Sequence, residues 1–368
     1  MIESVAANDE RLKDRPDDWE EPGEQTGEIS LGRRFGDWKT LVSFAFAALV
    51  IVVVILKGGI NFTALWNRLD QINIGLFFLA FVVYYTTFPL RGYRWKVLLE
   101  NAYKSDPKHS VDDMSVGGLT EIIYISWFVN CVVPAKLGDL YRAYLAKLWA
   151  NISWVKTVGT IVAERIVDIL VLSLLMAATG FIVFHSKLGH VDTILLFGVA
   201  LAVIGIVLLI AMKTFSAQIQ ALVPERFLDR YIAFEEGALQ SFRRIPLLFG
   251  LTAMIWMIEG VRLVLVFAAL GVHIHISSVP YVPMLFFALA TAVLTTIPFT
   301  PGGLGLVEVG LGSLMIYLGI PKADAAAVVL VDRLLSYYSI AFFGFIVYLV
   351  SKRSHFRHSV PRGAESRV

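Results

Sequence analysis

The chain has 368 residues, of which 57% are hydrophobic and 17% charged. That balance excludes a soluble globular protein and points to a polytopic membrane protein. The formal net charge of +2 hides an acidic start, and the single cysteine, Cys131, excludes an internal disulfide and a cysteine-based metal cluster.

Residues 1–28 hold ten acids against three bases, a net charge of −7 that leaves +9 for the remainder. With few apolar residues, this stretch belongs to a disordered acidic cytoplasmic tail over residues 1–36. It is not a signal peptide, because no short basic region leads directly into an apolar one. A membrane domain follows over residues 37–353, and a basic cytoplasmic tail over residues 354–368. The first expected span is 41–56; Arg33, Arg34 and Lys39 precede it and place the amino terminus inside. The second, 74–90, ends at Arg91, Arg94, Trp95 and Lys96. Residues 119–133 are apolar but short, and carry Glu121 and Asn130. Pro134, Lys136, Gly138 and Asp139 come next, and both flanks are basic, so this is read as a re-entrant segment.

Residues 157–184 form a long span containing Glu164, Arg165 and Asp168. Residues 194–212 return inside. The largest loop, 213–246, has Phe215, Ile219, Leu222, Phe227, Tyr231 and Phe234 at roughly helical spacing. It is either an amphipathic helix on the inner surface or a linker packed under the bundle. Residues 247–270 cross outward with Glu259 and Arg262. Then 284–297 and 311–320 flank a stretch that breaks a helix: Pro301, Gly302, Gly303, Gly305 and the carboxylate Glu308. Broken backbone at membrane depth is tolerated only inside protein or beside a water-filled cavity. Residues 323–350 cross back and carry Asp332 and Arg333. The expected fold is all-α: about six full transmembrane helices plus two re-entrant elements, with both termini cytoplasmic in a cell inner membrane.

Four features recur at a near-constant offset. Gly92-Tyr93-Arg94 matches Gly260-Val261-Arg262, and Pro134-x-x-Leu137-Gly138 matches Pro301-x-x-Leu304-Gly305. Glu164-Arg165 matches Asp332-Arg333, and Asp168 falls opposite Ser336. The halves, about 74–185 and 247–350, read as inverted repeats, an arrangement that puts a transporter's site at the repeat interface. A charge at mid-bilayer costs about 2.5–3.5 kcal/mol on insertion scales. The buried charges therefore either clamp the bundle as ion pairs or line a hydrophilic groove. For a groove, Lys136, Arg165 and Arg333 suit a phosphate. Glu164, Asp168, Glu308 and Asp332 suit selectivity or proton uptake, and Arg94, Glu259 and Arg262 support them. No P-loop, H-E-x-x-H or G-x-S-x-G occurs, His273 and His275 make no metal site, and no cofactor is expected.

The glycine stretch with Glu308, the run Asn130…Pro134-x-x-Leu137-Gly138-Asp139-x-x-Arg142, Glu164-Arg165-x-x-Asp168 and Asp332-Arg333 resemble the membrane domain of the lysylphosphatidylglycerol synthetase/flippase family. The resemblance covers about 38–353 and implies a lipid-translocating fold with paired re-entrant helices. It extends lipid-contact roles to Asp139 and Arg142, beside Lys136, Glu164, Arg165, Glu308, Asp332 and Arg333. Synthetase members add a soluble aminoacyl-transfer domain that this sequence does not contain, so a separate enzyme would modify the lipid. The expected function is a lipid flippase or scramblase without ATP hydrolysis, acting on a phospholipid or lipid-linked substrate and not on nucleic acid; a homo-oligomer is allowed. The alternatives are an intramembrane transferase on a lipid-linked sugar or aminoacyl group, with Glu308 or Asp139 as its carboxylate, and an ion-coupled solute transporter.

Overall fold

The computed structural model describes residues 61–104, 114–133, 136–184, 213–274, 279–296 and 300–358, and isolated positions between them. Most of the expected spans 41–56 and 194–212, both chain ends, Pro134 and His275 lie outside the described residues. Helix α1 is Phe62–Asp70 and α2 is Ile74–Tyr103, each started by an asparagine, Asn61 or Asn73, whose side chain accepts from the first turn. Then come α3 (Val116–Val132), α4 (Leu137–Ala150) and α5 (Trp154–Phe184). The connecting region holds α6 (Ser216–Leu222) and α7 (Glu225–Gln240). The remainder is α8 (Ile245–Ala269), α9 (Tyr281–Thr296), α10 (Leu306–Tyr317), α11 (Lys322–Arg333) and α12 (Ser339–His358). A π-helical turn, Leu334–Tyr338, joins α11 to α12.

Among the described residues, four stretches are long and apolar enough to cross a membrane: α2, α5, α8 and the α11–α12 run over Lys322–Ser351. The second span, expected to stop at Leu90, continues to Tyr103. Charge marks a helix end only when it must reach water, and Arg91 and Arg94 are buried with protein partners instead. Helices α3 and α9 have 17 and 16 residues. At 1.5 Å per residue they span roughly 25 Å, short of a hydrocarbon core of about 30 Å. Each is followed by a break and a helix that packs back on it, α4 on α3 and α10 on α9. Ser126 Oγ donates to Gly138 O (2.8 Å) across the first hairpin, and Asn130 Oδ1 accepts from Gly138 N–H (2.8 Å). Only glycine fits there: a Cβ at 138 would lie 2.1 Å from Ser126 O.

Contacts between α2 and α8 organise the bundle. Asn73 N–H donates to Ala269 O (2.8 Å), and Asn101 Nδ2 donates to Ser241 O (3.0 Å), so the two helices run antiparallel. Between these ends, Arg94 donates to Thr252 Oγ1 (2.8 Å), and the Arg262 guanidinium lies over the Tyr84 ring, 5.3 Å from its centre. Arg91 donates to Glu259 (3.0 Å), two residues 168 apart. A shift of 168 residues carries Asn73–Ala269 onto Asn101–Ser241 and Arg94–Thr252 onto Tyr84–Arg262, and it carries Arg91–Glu259 onto itself. The same shift relates Lys156–Glu236 (3.3 Å) to Arg68–Asp324 (2.6 Å), with the signs exchanged. Helix α7 packs on α5 as α1 packs on α11.

The connecting region is therefore packed against the bundle through one face of α7, while Phe215, Leu222 and Phe227 stay exposed. Gly159 and Gly237 bring the α5 and α7 backbones into contact. A Cβ at Gly237 would stand 2.0 Å from Lys156 O, whereas one at Gly250 in α8 would meet nothing within 4 Å. Gly237→Ala should destabilise the protein by about 1–3 kcal/mol, as overpacking does. Gly250→Ala should preserve stability or raise it by about 0.5–1 kcal/mol. Thermal unfolding of the two purified variants checks this; superimposable curves would mean that α7 moves away from α5 freely.

Candidate functional site

Where the two hairpins meet α2, α5 and α8, the bundle forms a cavity of about 810 Å³. From the first half of the chain come Asn130, Lys136, Asp139, Arg165 and Asp168, a first wall; from the second half come Glu259, Arg262, Thr300, Gly302, Arg333, Ser336 and Tyr337, a second wall. Arg91 stands between them, 4.7 Å from the Trp127 ring centre and 5.9 Å from that of Trp256. Apolar lining comes from Ile169 and Leu172 of α5 and from Ala288, Ala292 and Val293 of α9. The charged lining residues are five cations, Arg91, Lys136, Arg165, Arg262 and Arg333, against three carboxylates, Asp139, Asp168 and Glu259.

Behind the first wall lies a buried ion network. Glu164 accepts from Arg94 (2.6 Å) with one oxygen and from Arg142 (2.6 Å) with the other. Arg94 also reaches Asp168 (2.6 Å), and the Arg142 guanidinium stacks over Trp95 at 3.7 Å. Arg165 grips Asp139 with two hydrogen bonds (3.0 and 3.1 Å) and touches Asp168 (3.3 Å). The second wall is built in parallel fashion. Arg262 pairs with Asp332 and with Glu259 (3.0 Å). Arg333 pairs with Glu308 (2.9 Å) and donates to Gly302 O (2.9 Å), while Glu308 accepts from Gly305 N–H (2.6 Å). Arg94–Glu164 and Arg262–Asp332 have the same separation, 70 residues. The Tyr337 hydroxyl donates to Cys131 O (2.7 Å) and ties one break to the other hairpin.

Of the residues singled out in the sequence, Asn130, Lys136, Asp139, Arg165, Asp168, Glu259, Arg262, Gly302 and Arg333 line the cavity. Arg94, Glu308 and Asp332 are partners of the lining residues Asp168, Arg333 and Arg262, Glu164 and Arg142 follow behind Arg94, and Gly138, Pro301, Gly303 and Gly305 shape the breaks. Glu164 is enclosed by Arg94 and Arg142 while its neighbour Arg165 lines the cavity, and Asp332 is buried against Arg262 while its neighbour Arg333 lines it. Sequence reasoning missed Arg91, Trp127, Trp256, Tyr84 and Tyr337 as cavity residues. Arg91 carried a usable signal: it stands 168 residues from Glu259, the offset of the repeat.

The backbone of Lys136 is left-handed, φ 53° and ψ 36°. A non-glycine residue there costs on the order of 1–3 kcal/mol. The break in the other hairpin uses glycines for this geometry, with φ of 56°, 72° and 81° at Gly302, Gly303 and Gly305.

An all-helical bundle with four long apolar stretches among the described residues defines a multi-pass membrane protein. The chain belongs to the family described as the lysylphosphatidylglycerol synthase transmembrane region, which matches residues 40–344. A UPF0104 membrane protein of Methanocaldococcus jannaschii is 32% identical over 230 residues, covering 62% of this chain and 95% of that protein. Another, from Pyrococcus horikoshii, is 22% identical over 337 residues, covering 83% of this chain and 95% of that protein. Glycosyltransferase AglD of Haloferax volcanii is 29% identical over 297 residues, covering 68% of this chain but 45% of that protein. No solved structure matches.

Glu164 neutralises two buried arginines, so Glu164→Gln strands positive charge without changing shape. Loss of one partner from a buried ion pair typically costs about 3–5 kcal/mol. The variant should therefore melt far earlier than the parent, measurable by size-exclusion after a heating series. A melting point unchanged from the parent would mean that water, not Glu164, compensates Arg94 and Arg142.

Proposed function

We propose that the protein moves an amphiphile with an anionic, phosphate-bearing headgroup between membrane leaflets, without hydrolysing ATP. The observation that carries this reading is the cavity. Its charged walls hold more cations than carboxylates, and Ile169, Leu172, Ala288, Ala292 and Val293 supply an apolar side. A headgroup fits the charged part, where arginine and lysine suit phosphate oxygens, while acyl chains lie along the apolar side and the bilayer.

In this reading the two halves are inverted repeats of six spans in all, with both ends of the chain cytoplasmic. The reciprocal contacts of α2 and α8 support it: an exchange axis perpendicular to antiparallel membrane-crossing helices lies in the membrane plane and passes beside Arg91–Glu259. The α3–α4 and α9–α10 hairpins are then re-entrant and act as the inner and outer half-gates. Rocking of one half against the other about the central ion pair exposes the cavity to each leaflet in turn.

A second reading draws on the relative named Glycosyltransferase AglD: transfer of a sugar to or from a lipid-linked carrier. Less than half of that protein is matched. Lipid movement in the absence of any sugar donor separates the two readings.

The decisive assay reconstitutes the protein in liposomes with a headgroup-labelled anionic phospholipid and adds a membrane-impermeant reductant. Bleaching should go well beyond half of the label with the parent protein. It should fall to the outer-leaflet half with Arg165→Ala, which removes a cavity-wall cation whose side chain is 37% exposed. Bleaching at the parental rate in that variant would sink the groove reading. The axis has its own test. Arg91→Glu and Glu259→Arg should each yield little folded protein, because each sets like charges 3.0 Å apart. The double exchange restores an opposite pair at self-equivalent positions and should recover much of the folded protein.

A further inference from the structure

Every arginine on the cavity wall is tied to a carboxylate. Arg91 pairs with Glu259, Arg165 with Asp139 and Asp168, Arg262 with Glu259 and Asp332, and Arg333 with Glu308. Lys136 differs. Among the described residues no carboxylate lies within 4.0 Å of its ammonium group, although it lines the same cavity beside Asn130 and Arg165. The family of pairs accounts for all the cavity's carboxylates and leaves this one cation over.

The backbone at Lys136 points the same way. The left-handed conformation at the start of α4 suits glycine, which the other hairpin uses at three positions of its break. Lysine is the less favourable residue for that turn, so folding alone does not account for its side chain. Around the chamber stand several groups able to donate that have no partner among the described residues. Arg91 Nε, Ser173 Oγ and Thr300 Oγ1 belong to lining residues that are more than nine-tenths buried, and these atoms have no hydrogen-bond partner among the described residues. The Asn130 carbonyl oxygen is already taken by Gly138 N–H, which leaves its amide to donate. Surplus positive charge and surplus donors on one chamber call for a compact oxyanion.

We infer that Lys136 is the direct contact for the phosphate group of the substrate, and that Arg165, held by Asp139, positions the wall instead of gripping the ligand. This rests on the reading of the cavity as a headgroup site, and it assigns the phosphate to the α3–α4 end. The geometry of a phosphate monoester or diester satisfies it, whether carried by a lipid or free in solution. Lysine offers a mobile point charge that can follow a headgroup as the chamber opens, and it does so without breaking an existing ion pair.

The test measures binding to full-length protein in phospholipid-free detergent, with three probes: dioctanoyl phosphatidylglycerol, inorganic phosphate and uncharged dioctanoylglycerol. Lys136→Gly relieves the backbone strain, so its melting temperature should equal or exceed the parent's. It should nonetheless weaken phosphatidylglycerol binding about tenfold or more, equivalent to about 1.4 kcal/mol. Lys136→Arg should retain most of the affinity, and dioctanoylglycerol should bind the parent and both variants alike. Unchanged phosphatidylglycerol affinity in Lys136→Gly overturns the assignment, even if the parent moves lipid in liposomes. So does an equal loss for the uncharged lipid, or the absence of binding of either phosphate probe to the parent. If inorganic phosphate binds with the same dependence on Lys136 and the lipid does not, the phosphate site stands and the lipid reading falls.

Discussion

Charge taken out of water between membrane helices must find an opposite charge, and Arg91 with Glu259 does so at the crossing of α2 and α8. The two residues occupy corresponding positions of the two halves, so the pair sits on the line about which the α2 and α8 contacts exchange. Around it the ion networks fan out: Arg94, Arg142, Glu164 and Asp168 on one side, and Arg262 and Asp332 on the other. Aromatic faces complete the solvation. Trp127 and Trp256 flank Arg91, Trp95 underlies Arg142, and Tyr84 and Tyr337 carry Arg262 and Arg333. A chamber with this much charge is compatible with a hydrocarbon surround because each arginine has a fixed partner.

The broken helices follow from the same constraint. Backbone that leaves a helix inside a membrane needs protein partners for its N–H groups. Asn130 supplies one for Gly138 and Glu308 supplies one for Gly305. The two breaks are equivalent in place but not in charge. The first has Lys136 and a carboxylate, Asp139, held by Arg165; the second has glycines and a carboxylate, Glu308, held by Arg333. A further inequality lies at Asp168, whose counterpart is Ser336 on the π-helical turn. Lys136 and Asp168 both line the cavity, so the two halves differ at its wall.

Much of the fold could be read from the sequence. Long, largely apolar runs marked α5 and α8, and the Gly/Pro clusters at 134–138 and 301–305 marked both breaks, because neither signal depends on distant contacts. The recurring spacing of 168 residues was legible too, and the α2–α8 contacts follow it. Less legible was the end of α2. Arg91 and Arg94 look like residues at a water interface, and only their carboxylate partners on α5 and α8 make a longer buried helix tolerable. The connecting region left two choices open, because the Gly237–Gly159 contact with α5 that holds α7 to the bundle is invisible to periodicity.

The sequence by itself determined that this is an all-helical, multi-pass membrane protein with charges inside its apolar runs. Hydrophobic run length, helix-breaking residues and spacing are local properties, and they suffice for that. Tertiary structure alone decided which charges face the chamber and which stand behind it. Glu164 and Arg165 are neighbours in the chain, yet one is sealed between Arg94 and Arg142 while the other borders the cavity. Helical rotation separates adjacent side chains, and pairing across 70 or 168 residues fixes the partners of Arg94, Arg262 and Arg91. Only assembly of the bundle leaves Lys136 as the lining cation to which the described residues assign no carboxylate.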